Sequence, residues 1–343
     1  MAVVAPMPPT AECTRLAAGL GPRVRLGTSS WSFPGWRGLV YAAGAPASEI
    51  AARGLAAYAH QPLHATVGLD RAFYETPSIE TLRALAAQVP PHFRFVVKAH
   101  QACTRPHLQP DGTTLGDVAA ARVHGSGNPR FLDASWARDA VIGPIVDGLG
   151  ETCGPILFQF AHLPLGRGQV FASESSLLDR LDAFLRGLPR GPRYAVEFRN
   201  ESMLRGVPCR RFAEILRAHG AIAGLGLIPS MPSAARQATA LREAGLDPTA
   251  QPVFLARWLL GHGLGYEEAR SAYEPFDRLV APDPAARHEI AALVAACTAA
   301  GGESFVIVNN KAEGSAPGSI PPLAESILAV RANSPAAPEP ARR

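Results

Sequence analysis

Eight short apolar runs recur along the chain, and between them the pattern shifts to helical spacing. The runs are Val24–Thr28, His64–Leu69, Phe93–Lys98, Ile156–Phe160, Tyr194–Phe198, Ala221–Leu227, Val253–Trp258 and Phe305–Asn310. The helical patterns cover roughly 48–60, 78–88, 132–149, 174–187, 208–219, 232–245, 284–300 and 320–331. Pro46-Ala47-Ser48, Pro77-Ser78-Ile79-Glu80 and Pro282-Asp283-Pro284 read as helix starts. Gly154-Pro155 and Gly191-Pro192 punctuate the chain before strands. Strands alternating with helices argue for a parallel sheet with helical crossovers. Eight such units across residues 23–332 predict a single-domain α/β fold, a TIM-type (β/α)8 barrel. A doubly wound open sheet is the alternative, but no Gly-x-Gly-x-x-Gly follows the first strand.

Outside the repeat, residues 1–22 are rich in Ala and Pro and read as a loose N-terminal arm. Residues 333–343 read as a disordered tail. The longest stretch between elements, 99–131, holds Arg105-Pro106-His107 and Gly125-Ser126-Gly127-Asn128-Pro129, and a loop of that length is functional or mobile. The net charge of +4 is mild, so nucleic acid is not the favoured partner without a clustered basic stripe. Five scattered cysteines with no Cys-x-x-Cys pair disfavour a disulfide framework and a structural zinc site. The N-terminus lacks the order of a signal peptide, and no window reaches about 18 uninterrupted apolar residues. The expectation is a cytoplasmic protein without a membrane span, its oligomeric state unread.

In a barrel of this kind, sites gather at the C-terminal ends of the strands. Those ends carry Thr28-Ser29, Asp70, Lys98, Gln159, Glu197 with Arg199, Arg257, and Asn309-Asn310-Lys311. On the fifth strand, alternation puts Tyr194, Val196 and Phe198 on one face and Ala195, Glu197 and Arg199 on the other. The opposite strand ends show Arg25, His64, Arg94 and Tyr194 and no comparable mixture. One pocket at the C-terminal mouth is therefore expected.

Of the 33 Lys and Arg residues, only Lys98 and Lys311 are lysines. Both stand at strand ends, which marks them as positions that need an ammonium rather than a guanidinium. Lys98, Arg199, Arg257 and Lys311 against Glu197 and Asp70 leave surplus positive charge, which suits a phosphate or carboxylate. Gln159, Asn309 and Asn310 both donate and accept hydrogen bonds, as sugar hydroxyls or amides require. Trp31, Phe33, Trp36, Phe73 and Tyr74 follow the first two strands and either stack on a ligand ring or pack the rim. Ser29 lacks a Gly-x-Ser-x-Gly elbow. Lys98 has the chemistry for a Schiff base if neighbouring cations depress its pKa, although a pair with Glu197 is the expected arrangement. Histidines fall mostly in loops and helices, so no tightly bound transition metal is expected; magnesium on Glu197 and Asp70 stays open.

These motifs carry a resemblance. Gly27-Thr28-Ser29-Ser30-Trp31-Ser32-Phe33-Pro34-Gly35-Trp36-Arg37-Gly38 resembles the N-terminal signature of the YecE-like family, the domain of unknown function 72. Phe73-Tyr74-Glu75-Thr76-Pro77, Phe93 to Ala99, Ile156 to Phe160, Ala195 to Arg199, Val253 to Arg257 and Val308-Asn309-Asn310 are similar to its later motifs, in order. The resemblance implies a TIM-type barrel in cytosolic proteins with no established reaction. The chain departs from it in three places. Gly68 and Asp70 stand where the family has Glu and Asn, Met203 replaces a Trp, and Gly226-Leu227-Ile228-Pro229 lacks an Asp-x-Pro.

The leading functional expectation is a mouth that binds a small anionic ligand, phosphorylated or carboxylated and sugar-like. Glu197 and Lys98 are the catalytic candidates. Arg199, Arg257, Gln159, Asn309, Asn310, Lys311, Asp70, Ser29, Trp31 and Tyr74 are the binding candidates. The alternatives are a metal-assisted phosphodiesterase or nuclease and a non-catalytic ligand sensor. Whether the protein is an enzyme, and what cofactor it would use, is left open at this level.

Overall fold

The strands pair in chain order and close on themselves, β1 (Val24–Thr28), β2 (Thr66–Leu69), β3 (Arg94–Lys98), β4 (Cys153–Phe160), β5 (Tyr194–Phe198), β6 (Ile222–Leu227), β7 (Val253–Trp258) and β8 (Glu303–Val308). All neighbours are parallel, and β1 closes the ring on β8 from Val24 opposite Ser304 to Thr28 opposite Val308. This computed structural model describes residues 4–107, 127–166, 171–261 and 263–333. It is a TIM-type barrel, as the alternation of apolar runs and helical patterns predicts.

Strand parity divides the apolar residues into two sets. Val96, Leu157, Ala195, Ile222, Val253, Leu255, Phe305 and Ile307 form a separate buried cluster, the filled interior of the ring. Residues of the opposite parity, such as Val97, Phe158, Val196, Phe254 and Val306, join the larger core between strands and helices. At the N-terminal end, Arg25 approaches Phe305 and pairs with Glu303 at 3.4 Å, which closes the floor. The open end is therefore the C-terminal one.

The outer helices are α1 (Ala11–Leu20), α2 (Ala47–Ala59), α3 (Ile79–Ala86), α4 (Ala134–Ala137), α5 (Gly143–Leu149), α6 (Glu174–Gly187), α7 (Gly206–His219), α8 (Ala234–Glu243), α9 (Tyr266–Tyr273), α10 (Pro284–Ala299) and α11 (Ala316–Asn333). Five of them correct the sequence reading. The stretch read as a loose arm contains α1, which Thr10 caps by accepting from the Cys13 amide at 3.1 Å. Its Leu16 and Leu20 are buried, and Arg331 of α11 donates to the Leu20 carbonyl at 2.9 Å. Small alanines hid this helix, because two leucines make a weak pattern. The single helix read over 132–149 is interrupted by a π-helical segment, Arg138–Ile142, between α4 and α5. Pro144 has no N–H to give to the preceding turn, and the wider turn accommodates that loss. Helix α9 is absent from the sequence reading, and α11 starts at Ala316, ahead of residue 320, with Pro321 and Pro322 inside it. The tail from 334 and most of the long 99–131 loop lie outside the described residues.

Tyr58 of α2 links the first two strands to the helix layer. Its hydroxyl accepts from the Thr28 amide at 2.9 Å and donates to the Thr66 carbonyl at 3.0 Å. His64 stacks on the same ring with centroids 4.3 Å apart, and its Nδ1 lies 3.2 Å from the Tyr58 carbonyl oxygen. Burial pushes the His64 pKa down to about 4, against the opposing pull of that hydrogen bond. An unfolded histidine takes its proton near pH 6.5. Between those values the unfolded chain holds more protons, so stability is complete above about 6.5 and falls as pH drops towards 4. The loss should be roughly 3 kcal/mol. Denaturant titrations of His64→Phe are expected to show a flatter slope over this window; equal slopes would assign the acid sensitivity to other groups.

Candidate functional site

The inward parity that fills the ring continues past the floor. Two residues beyond Val96, Leu157, Ala195, Leu255 and Ile307 stand Lys98, Gln159, Glu197, Arg257 and Asn309. The same alternation gives Ser29 after β1 and Asp70 after β2. On β6 the corresponding inward residues are Gly224 and Gly226, which add no side chain. That gap matters because it lets Arg257 of β7 reach past β6 to Glu197 of β5.

Arg257 Nη1 donates to Glu197 Oε2 at 3.0 Å. Its other terminal nitrogen reaches Asp70, on the far side of the mouth, at 3.3 and 3.4 Å from the two oxygens. Glu197 is 0 % exposed and Arg257 2 %, whereas the Asp70 side chain is 35 % exposed. Burial alone would lower the Arg257 pKa; Glu197 first and Asp70 second more than offset it and hold the guanidinium above its ordinary value. Arg257 is thus fully engaged by two carboxylates. Arg199 completes the group, with Nε 3.7 Å from Glu197 Oε1 and Nη2 donating to Gln159 Oε1 at 3.2 Å.

Lys98 does not pair with Glu197, which corrects the expected arrangement. Among the described residues it makes no salt bridge and no hydrogen bond; its Nζ sits 3.6 Å from the centre of the Phe73 ring. Register explains the difference. Arg257 occupies Oε2 of Glu197, and the short helical turn after β2 brings Phe73 under the lysine. Burial lowers the Lys98 pKa to about 7; Asp70 opposes that drop, while Arg257 and Arg199 add to it. Arg105 stacks on the same Phe73 ring at 5.2 Å.

The turn after β8 sorts its three candidates differently. Asn309 donates to Ser29 Oγ at 2.8 Å and accepts from the Lys311 amide at 3.0 Å, which ties the ends of β8 and β1 together. Asn310 is buried and turned away from the mouth's charged residues: its Oδ1 accepts from Trp36 Nε1 at 3.2 Å and from the Ala316 amide at 2.9 Å, at the start of α11. Lys311 is buried with its Nζ 4.2 Å from the Tyr266 ring centre and 5.9 Å from that of Phe276. Trp31 is buried too, with the Arg71 guanidinium 4.4 Å over its ring, so that face is already covered. Tyr74 is 68 % exposed at the rim.

As for a metal or cofactor, among the described residues no group of three His, Cys, Asp or Glu comes together. Any cation on Glu197 and Asp70 would have to displace Arg257.

The family model described as protein of unknown function DUF72 matches residues 25–342. The chain belongs to the DUF72 family. A DUF72 family protein from Thermotoga maritima superposes with a TM-score of 0.54 at 19% identity, over 88% of this chain and 96% of the other. One from Enterococcus faecalis gives 0.54 at 15% identity, over 93% and 99%. These likenesses show the barrel and nothing of its ligand. No curated protein matches the chain.

The departures of this DUF72 chain from the motifs it resembles have physical counterparts. A Cβ on Gly68 would stand 3.1 Å from Ser29 Cα, so the end of β1 packs against that position. The second carboxylate that meets Arg257, beside Glu197, comes from Asp70, two residues on and of the same parity. Met203 is fully buried. Sequence reasoning passed over Gly226, although inward glycines on a barrel strand are a readable signal of a close approach. A Cβ there would lie 3.0 Å from the Glu197 carboxylate. Gly226→Ala is expected to cost about 1–3 kcal/mol by crowding the Glu197 carboxylate that Arg257 holds. A Gly226→Ala protein that melts with the wild type would mean the carboxylate has room to move.

Proposed function

We propose that the mouth of this DUF72 barrel binds a small anionic ligand, a carboxylate or phosphate, and that Lys98 and Glu197 move protons on it. The observation that carries the reading is the Lys98 amine, which has no carboxylate partner among the described residues and stands beside a buried Glu197–Arg257–Asp70 network. An amine that titrates near neutrality exchanges protons readily at working pH. The ligand's negative charge would restore the protonated form, as any anion close to an amine does. Arg199, which donates to Gln159, supplies a second charged group whose side chain keeps 22 % exposure. Neighbouring polar groups on Asn309 and Ser29 suit hydroxyls on the same ligand.

Mass spectrometry of small molecules that co-purify with the protein, followed by thermal-shift titration with inorganic phosphate and simple carboxylates, tests this. A phosphorylated or carboxylated compound is expected, with stabilisation that disappears in Lys98→Met. Stabilisation by uncharged compounds alone would contradict the reading.

A further inference from the structure

We propose that Lys98 forms a covalent imine with an aldehyde or ketone that carries a carboxylate or phosphate. The inference rests on the anion-binding reading above and names its substrate class.

Three features of the site support it. An imine-forming lysine needs a free lone pair, and Lys98 lacks the carboxylate partner that would hold its proton. Burial and the nearby Arg257 and Arg199 charges act in the same direction, with Asp70 and Glu197 opposing. Second, the amine is positioned by the Phe73 ring at 3.6 Å, and the product nitrogen would occupy the same place. A protonated imine is cationic, so the ring face would hold it as it holds the ammonium. Third, Asp70 is the partly exposed carboxylate and exerts the strongest pull on Lys98 among the surrounding charges, which suits it to relay protons. The retention of lysine here, in a chain that writes nearly all its other positive charge as arginine, has a chemical reason in this reading: a guanidinium cannot do this chemistry.

The step balances without an oxidant or reductant. The Nζ lone pair attacks the carbonyl carbon, and the carbonyl oxygen takes a proton through Asp70. The nitrogen loses one proton, the hydroxyl takes another and leaves as water, and the C=N bond forms. Amine, carbonyl compound and one proton give an iminium and water.

Incubating the full-length protein at pH 7 with glyoxylate, pyruvate or glyceraldehyde 3-phosphate, with sodium cyanoborohydride as trap, tests the inference. Peptide mapping then compares Lys98 with Lys311 and the N-terminal amine as internal references. Lys98 should be trapped at least ~10-fold faster than Lys311 by one or more of these probes. Lys98→Arg should lose the fast adduct and keep the slow ones. Equal rates at the two lysines, in protein shown to be folded by its cooperative melt, would overturn the proposal. Stabilisation by phosphate or carboxylate with no preferential trapping would end the imine and leave the anion reading standing. Trapping at Lys98 that is as fast with propanal as with glyoxylate would keep the imine and end the anion reading.

Discussion

Arg257→Met is expected to destabilise the protein by about 3–5 kcal/mol at neutral pH, because it leaves the buried Glu197 carboxylate without its hydrogen-bonded counter-charge, with only Arg199 nearby at 3.7 Å among the described residues. The pair itself is not the source of that figure. Two charges taken out of water gain little over an apolar pair of similar size, and the large cost falls on whichever partner is stranded. Arg257→Met/Glu197→Leu should therefore recover most of the loss, the more so because Asp70 retains access to water. Urea titrations of the wild type, single and double variants read both effects. A single variant as stable as the wild type would mean that water reaches Glu197.

Lys98→Met is expected to do two opposite things, weakening ligand binding while making the empty protein more stable at pH 6. The unfolded amine keeps its proton up to about pH 10.4, whereas the folded one has half lost it by about 7. Below about 7 both states are protonated and the folded state carries the whole cost of a buried ammonium. Between about 7 and 10.4 the unfolded chain holds more protons, so the wild type gains stability as pH rises. The advantage of Lys98→Met should accordingly be a few kcal/mol at pH 6 and shrink towards zero near pH 10. Lys98→Arg cannot shed its charge and has a larger, planar head group, so it should lose stability at every pH. For affinity, removal of a charge-assisted contact predicts a drop of about ten- to a hundredfold. A constant stability difference across pH, with unchanged affinity, would show that this ammonium is ordinary.

How much of this was readable from the chain depends on which physical scale sets each feature. The strands were legible because a barrel strand is apolar on both faces, so Val253–Trp258 and Tyr194–Phe198 announce themselves with their bounds intact. The membership of the mouth was legible for the same reason: alternation carries Lys98, Gln159, Glu197 and Arg257 inward together. Pairing inside the mouth was not. Arg257 meets Glu197 only because β6 contributes Gly224 and Gly226 between them, and it meets Asp70 only because the ring closes. Those contacts depend on register and side-chain reach across sequence separations of 60 and 187 residues, to which local pattern is blind. Asn310 shows the converse limit. Its place at a strand end suggested the mouth, yet its side chain turns to serve Trp36 and the start of α11. Helix α9 escaped notice because eight residues with two buried side chains leave little periodicity to find.

The chain's two lysines make the central claim directly measurable. In protein labelled with 13C at lysine Cε, the side-chain spectrum holds two signals, and Lys98→Met assigns them by removing one. Following the Lys98 signal across pH is expected to give a midpoint near 7, moving upward when an anionic ligand binds. A Lys98 midpoint near 10 in the folded, ligand-free protein would contradict the account, because the amine would then be a permanent ammonium with no capacity for proton transfer or imine formation at neutral pH.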